Sequence, residues 1–160
     1  MQQDYENQQA HVFQINASQG GVPKLALARG EVTQAGLVGD KQQTAVVHGG
    51  PEAALCLYSL ERILALQAEG HPIYPGAVGE NLTIAGLDWD KVIPGTYLRL
   101  GQDLLIEVTR YTTPCSSIVD AFIDKQISRI LQSKHPGWSR VYARVLHPGL
   151  IQPGSKVSIE

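Results

Sequence analysis

The chain has 160 residues, is 43% hydrophobic and 18% charged, and carries a formal net charge of −2. That composition suits one globular domain with a sizeable core and excludes a disordered chain. Scattered Lys and Arg offer no basic face for nucleic acid, and the densest apolar run, AALCLYSL, is far too short to span a membrane.

The start, MQQDYENQQA, has neither the charged n-region nor the apolar h-region of a secretory signal. Residues 1–10 are expected to form a flexible N-terminus ahead of a single domain over 11–160, in a cytoplasmic protein. HVFQIN reads as the first strand and SQGGVPK as a loop, and LALARGEVTQAGL mixes apolar and polar positions as strands do. In SLERILALQAEG, Leu60, Ile63, Leu64 and Gln67 share one helical stripe. Ser59 is placed to cap its start and Gly70 to follow its end. LLIEVT puts Leu104, Ile106 and Val108 on one face and Glu107 and Thr109 on the other, which is a half-buried strand.

A second helical stripe is expected from Val119, Phe122, Ile123, Ile127, Ile130 and Leu131, stopped by His135-Pro136-Gly137. RVYARVL sets Val141, Ala143 and Val145 opposite Tyr142, Arg144 and Leu146, so both faces are expected to be covered. VIPGTYLRL and IQPGSKVSI share a Pro-Gly turn before an alternating strand, which reads as two similar hairpin openings. Strands dominate and two helices lie between them. The fold class this predicts is mainly β, a barrel with helical insertions.

Three glycine-rich stretches, GLVGDKQ, VHGGPE and PGAVGENLTIAGLD, interrupt the pattern. Glycines at that density let backbone N–H groups converge on an anion or polar ligand, or simply make tight turns. No Walker or dinucleotide fingerprint occurs, and the five histidines show no zinc-protease spacing. The two cysteines, Cys56 and Cys115, have no paired Cys or His spacing for a cluster or structural zinc. In a reducing compartment they are not expected to bridge. Cys56, in AALCLYS, reads as a packing thiol, whereas Cys115 ends EVTRYTTPC at a strand terminus.

The order Gly36-Leu37-x-Gly39-Asp40, His48-Gly49-Gly50-Pro51, Pro75-Gly76-Ala77-x-Gly79-Glu80-Asn81-Leu82, Gly86-Leu87 and Pro114-Cys115 resembles the MOSC domain. GGVPK is similar to that family's opening loop, and GWSRVYARVLHPGLIQPGSKVSI to its closing segment. The resemblance implies a closed or partly open, Greek-key-like barrel around one functional cysteine, matched here by Cys115. Family cysteines of this kind either ligate the molybdenum of the molybdenum cofactor (molybdopterin) or carry sulfane sulfur. Relatives in the family reduce N-hydroxylated compounds, N-hydroxylated purines included.

On that resemblance Cys115 is the expected metal ligand and catalytic thiol, with His48 as a hydrogen-bond donor or acid. A thiolate is a soft donor and is favoured by cationic neighbours. Arg110 and Lys24 are candidates for that role and for holding a cofactor phosphate. Thr112 and Ala53 stand where many relatives have arginine, so either Arg110, Lys41 or Lys24 substitutes or the ligand differs. Gly49, Gly50, Glu80, Asn81 and Thr112 complete the expected cofactor-binding set, with Glu80 and Asn81 either bracing their loop or touching the ligand. Pyridoxal phosphate is not expected. The expected partners are a small-molecule substrate and a separate electron-donor protein, with no nucleic acid or membrane, and the chain a monomer or homodimer. Two other readings stand beside this one: a sulfur carrier holding a Cys115 persulfide, and a non-catalytic ligand-binding barrel.

Overall fold

The computed structural model describes residues 9–41 and 50–160. Most of the N-terminus expected to be flexible, together with His48 and Gly49, lies outside the described residues. Eleven strands are described: β1 (His11–Ala17), β2 (Leu25–Leu27), β3 (Gly30–Thr33), β4 (Gly36–Leu37), β5 (Leu55–Ser59), β6 (Leu82–Ala85), β7 (Tyr97–Leu100), β8 (Leu104–Tyr111), β9 (Val141–His147), β10 (Gly149–Ile151) and β11 (Val157–Ile159). The protein is mainly β, as its alternating segments predict.

Eight strands form one sheet in the order β11-β7-β8-β9-β5-β6-β1-β2, and β10-β3-β4 form a second. Every neighbouring pair is antiparallel except β5 and β6. A parallel pair needs a crossover, and a single α-helix, α1 (Leu60–Ala68), lies on that connection and packs on both strands. The larger sheet curls until β1 meets the approach to β11 at an isolated bridge, His11 to Lys156. Val12 N donates to Ser155 O at 2.8 Å and Gly154 N to Val12 O at 2.7 Å, so these segments touch without a full ladder, and the described strands form two sheets rather than the expected closed barrel.

Period-2 burial explains the strands. Leu104, Ile106 and Val108 of β8 and Val141, Ala143 and Val145 of β9 face the core. On the opposite face of β9, Tyr142 is buried, but Leu146 is exposed. The two Pro-Gly segments become neighbours, because β7 and β11 pair. Gly95 and Gly154 both adopt φ +95°, the left-handed value their turns demand.

Two helical expectations are corrected. Ser59 caps α1 as expected, accepting from Arg62 N at 3.2 Å. Its buried face is Ile63 and Leu66, however, and Leu64 is 51% exposed, because packing on β5 and β6 selects that pair. The stripe over residues 119–131 forms three short 3-10 helices, Ser116–Ala121, Ile123–Lys125 and Ile127–Ile130. Asp124 (φ 52°) and Lys125 (φ 59°) sit in the left-handed region, which interrupts a continuous helix. Phe122 and Ile130 still reach the core. No helix among the described residues is long and apolar enough to cross a membrane.

Candidate functional site

Two glycine-rich loops and the opening loop converge through buried polar contacts. Lys24 N donates to Gly76 O at 2.9 Å. A Cβ on Gly76, which has φ +92°, would lie 2.3 Å from Lys24 O, so the approach requires glycine. Lys24 Nζ then reaches Asp40 Oδ2 at 2.7 Å, with both side chains more than nine-tenths buried. Asp40 also accepts from Ser18 N at 3.0 Å and from Asn81 Nδ2 at 2.8 Å. Asn81 Oδ1 accepts from Cys56 N at 2.9 Å, tying the network to β5. One carboxylate therefore satisfies three donors, two from the opening loop and one from the loop ahead of β6, as a buried charge must.

This network borders a cavity of about 320 Å³ whose lining includes Lys24, Lys41, Cys56, Asn81, Cys115 and Arg140. The strand β8 delivers Cys115 to it. A bulge between Val108 and Arg110 bends β8 near its end, and the chain then leaves the sheet through Pro114. Bulges re-aim a strand in this way beside functional sites. Cys115 is half-buried, and its Sγ lies 2.8 Å from Ser117 Oγ, which is also in the lining. The Cys115 carbonyl accepts from Ile118 N at 3.2 Å as the chain enters its 3-10 turn.

Buried lining residues form the floor: Cys56, Asn81 and Arg140. Burial pushes the Cys56 thiol up to about 11, against the opposing pull of Arg140, so that thiol stays protonated at neutral pH. Exposed residues form the rim, among them Lys41, Ser116 and Ser117.

Of the residues singled out in the sequence, Cys115, Lys24, Lys41 and Asn81 meet at this cavity. Gly50, Glu80, Arg110 and Thr112 are not part of its lining. Gly50 is exposed ahead of the 3-10 turn Pro51–Ala53. Arg110 is exposed and lies over the Tyr142 ring, 5.0 Å from its centroid. Thr112 is buried and donates its backbone N–H to Arg140 O at 3.1 Å.

Glu80 is fully buried and braces its loop, its Oε2 accepting from Thr83 Oγ1 at 3.1 Å. Burial raises it to about 7, overcoming the Gly76 and Glu80 amides, Thr83 and Arg140, which all favour the carboxylate. Sequence reasoning missed Arg140 and Tyr142 in the lining, and set Cys56 apart from Cys115 although both reach the same cavity. Arg140 precedes β9 in GWSRVYARVL, and nothing in its spacing distinguishes it from a solvated strand residue.

The MOSC domain family model matches residues 44–158. The uncharacterized protein YflK of Bacillus subtilis is 33% identical over 122 residues, which cover 76% of this chain and 54% of YflK. A Gibberella moniliformis protein named Reductase is 31% identical over 129 residues, covering 78% of this chain and 22% of that protein. The chain thus spans about half the length of one curated relative and under a quarter of the other. The crystal structure of YiiM from Geobacillus stearothermophilus superposes with a TM-score of 0.69 at 26% identity, covering 94% of this chain and 75% of that one.

Proposed function

The chain belongs to the MOSC domain family, and from that premise we propose that it binds the molybdenum cofactor through Cys115 and reduces N-hydroxylated compounds, purines among them. The observation that carries this reading is the opening of Cys115 onto a cavity shared with Lys24, Lys41 and Asn81. The relative named Reductase supports its redox half.

The residues present fit such a group. Cys115 offers one soft sulfur donor, suited to a metal whose other ligands come from a cofactor. The Ser117 hydroxyl orients that sulfur. Lys41 at the rim makes no ion pair among the described residues, and Arg140 on the floor makes none either, so an anionic cofactor would meet unneutralised cations. The Lys24–Asp40–Asn81 network holds the loops that shape the cavity. At about 320 Å³ the cavity falls near the lower end of small-ligand pockets, roughly 300–1,000 Å³.

When bound, the cofactor supplies the two-electron chemistry that breaks an N–O bond. The overall balance takes up two electrons and two protons and releases amine and water. The electrons come from a separate donor protein, and the protein works in the cytoplasm as a monomer or homodimer.

Metal analysis of protein purified anaerobically from a cofactor-competent host is the test, with wild type beside Cys115→Ser. Near-stoichiometric molybdenum and N-hydroxypurine reduction are expected in wild type, and both are lost in the variant. Equal molybdenum in the two proteins, or none in either, would sink the reading. An added sulfur atom on Cys115 by intact-mass measurement, with no molybdenum, would favour the sulfur-carrier alternative.

A further inference from the structure

Building on the cavity reading above, we propose that Arg140 forms an oxyanion subsite on the cavity floor, fitted to a phosphate monoester on the molecule that Cys115 engages. Two buried cations line this cavity, and the fold treats them differently. Lys24 is 7% exposed and carries its own counter-ion, Asp40, at 2.7 Å. Arg140 is also 7% exposed, yet among the described residues no carboxylate lies within 4.0 Å of it. Its Nη1 donates to the Val78 carbonyl at 2.7 Å, and its buried Nε has no hydrogen-bond partner. A buried guanidinium left with one neutral acceptor is costly unless a ligand completes it.

The groups around Arg140 do not neutralise it. Cys56, Tyr58 and Tyr142 all sense its charge and are themselves pushed up by burial, so they remain neutral at pH 7. Glu80 is the one acid among them, and burial keeps it only partly ionised there. Val78 fixes one arm of the guanidinium plane, which orients the rest of the fork. A fixed planar fork matches the paired oxygens of a phosphate. Lys41 adds a second cation at the rim. Two uncompensated cations suit a phosphate monoester, which carries about −1.5 to −2 at pH 7, better than a monoanionic carboxylate.

The cofactor-free full chain tests this with inorganic phosphate as probe, read by calorimetry and by the arginine Nε–H resonances in NMR. Saturable binding of one phosphate is expected, with the Arg140 resonance shifting and that of the half-exposed Arg99 unmoved. Arg140→Gln should weaken binding about tenfold or more, and Arg140→Lys should recover part of it. Because the wild-type resonance is read directly, the answer does not depend on Arg140→Gln folding. An unmoved Arg140 resonance, or equal affinity in a folded Arg140→Gln, overturns the proposal.

Repeating the titration on cofactor-loaded protein identifies the source of the phosphate. Exclusion of the probe assigns the subsite to the cofactor, and continued binding assigns it to the substrate. Arg140-dependent phosphate binding in a protein that takes up no molybdenum would remove the proposed function and leave the subsite standing. Molybdenum uptake with phosphate indifferent to Arg140 would do the reverse.

Discussion

The floor and the rim of the cavity each contribute a cysteine, and the two differ in nearly every physical respect. Cys56 sits in the interior strand β5, 5% exposed, with its N–H and C=O both committed to Asn81. Cys115 sits past the end of β8, half-buried, with its sulfur against a hydroxyl that is itself exposed. The floor is braced by the buried Lys24–Asp40–Asn81 network, and Arg140 alone stands there without a counter-ion among the described residues. The rim is carried by a short turn outside the sheet. Substitutions on the floor should therefore cost stability, and substitutions at the rim should cost chemistry and little else.

The largest stability loss should follow Asp40→Ala. That change strands the buried Lys24 ammonium and leaves Ser18 N and Asn81 Nδ2 without their shared acceptor. Breaking a buried pair from one side costs about 3–5 kcal/mol, and denaturant unfolding of the two proteins measures it. A loss below about 1 kcal/mol, the range of an exposed pair, would show that the network does not hold the floor together.

Glu80 offers the next largest effect, and its sign is unusual for a carboxylate. Burial raises it from 4.5 to about 7, so between those values the folded protein binds more protons than the unfolded chain. Stability from this group is therefore fully present below pH 4.5 and is lost as pH rises through about 7. The swing is on the order of 3 kcal/mol, taking about 1.4 kcal/mol per unit. The comparison with Glu80→Gln isolates this group from every other contribution. The difference between the two stability profiles should fall across that window and flatten above it. A constant difference from pH 4.5 to 8 would mean that Glu80 is ionised throughout, and its surroundings wetter than its burial indicates.

This contrast also separates what the sequence reveals from what it hides. Alternation alone locates β8, because one of its faces is buried and a period of two is the direct consequence. Ser59 and the two Pro-Gly pairs are equally legible, since a cap and a turn are local chemistry. Cys115 stands out through the family resemblance, which rests on the order of the glycine motifs and the Pro114-Cys115 pair. The floor is not local.

Arg140 becomes a cavity residue only when the start of β9 meets the Val78 carbonyl from a loop 62 residues earlier in the chain. Lys24 and Asp40 were visible as charged residues, but their pairing depends on the close approach at Gly76. The stripe at residues 119–131 shows the opposite failure. Its apolar spacing is helical, yet Asp124 and Lys125 adopt a left-handed backbone that periodicity cannot signal.

The smallest stability effect belongs to the rim. Cys115→Ser replaces a half-buried sulfur with a smaller polar atom that can still engage Ser117, at a position outside the buried core cluster. The change should stay within about 0.5 kcal/mol, as surface substitutions do. Thiol reactivity should separate the two cysteines far more sharply. An alkylating reagent needs both access and thiolate; Cys56 lacks access at 5% exposure and lacks thiolate with its pKa near 11. In the native protein, peptide mass mapping should find Cys115 labelled while Cys56 becomes reactive only on unfolding. Equal labelling of both under native conditions would mean that the floor opens on the timescale of the reagent. The distinction between a structural floor and a chemical rim would then fail.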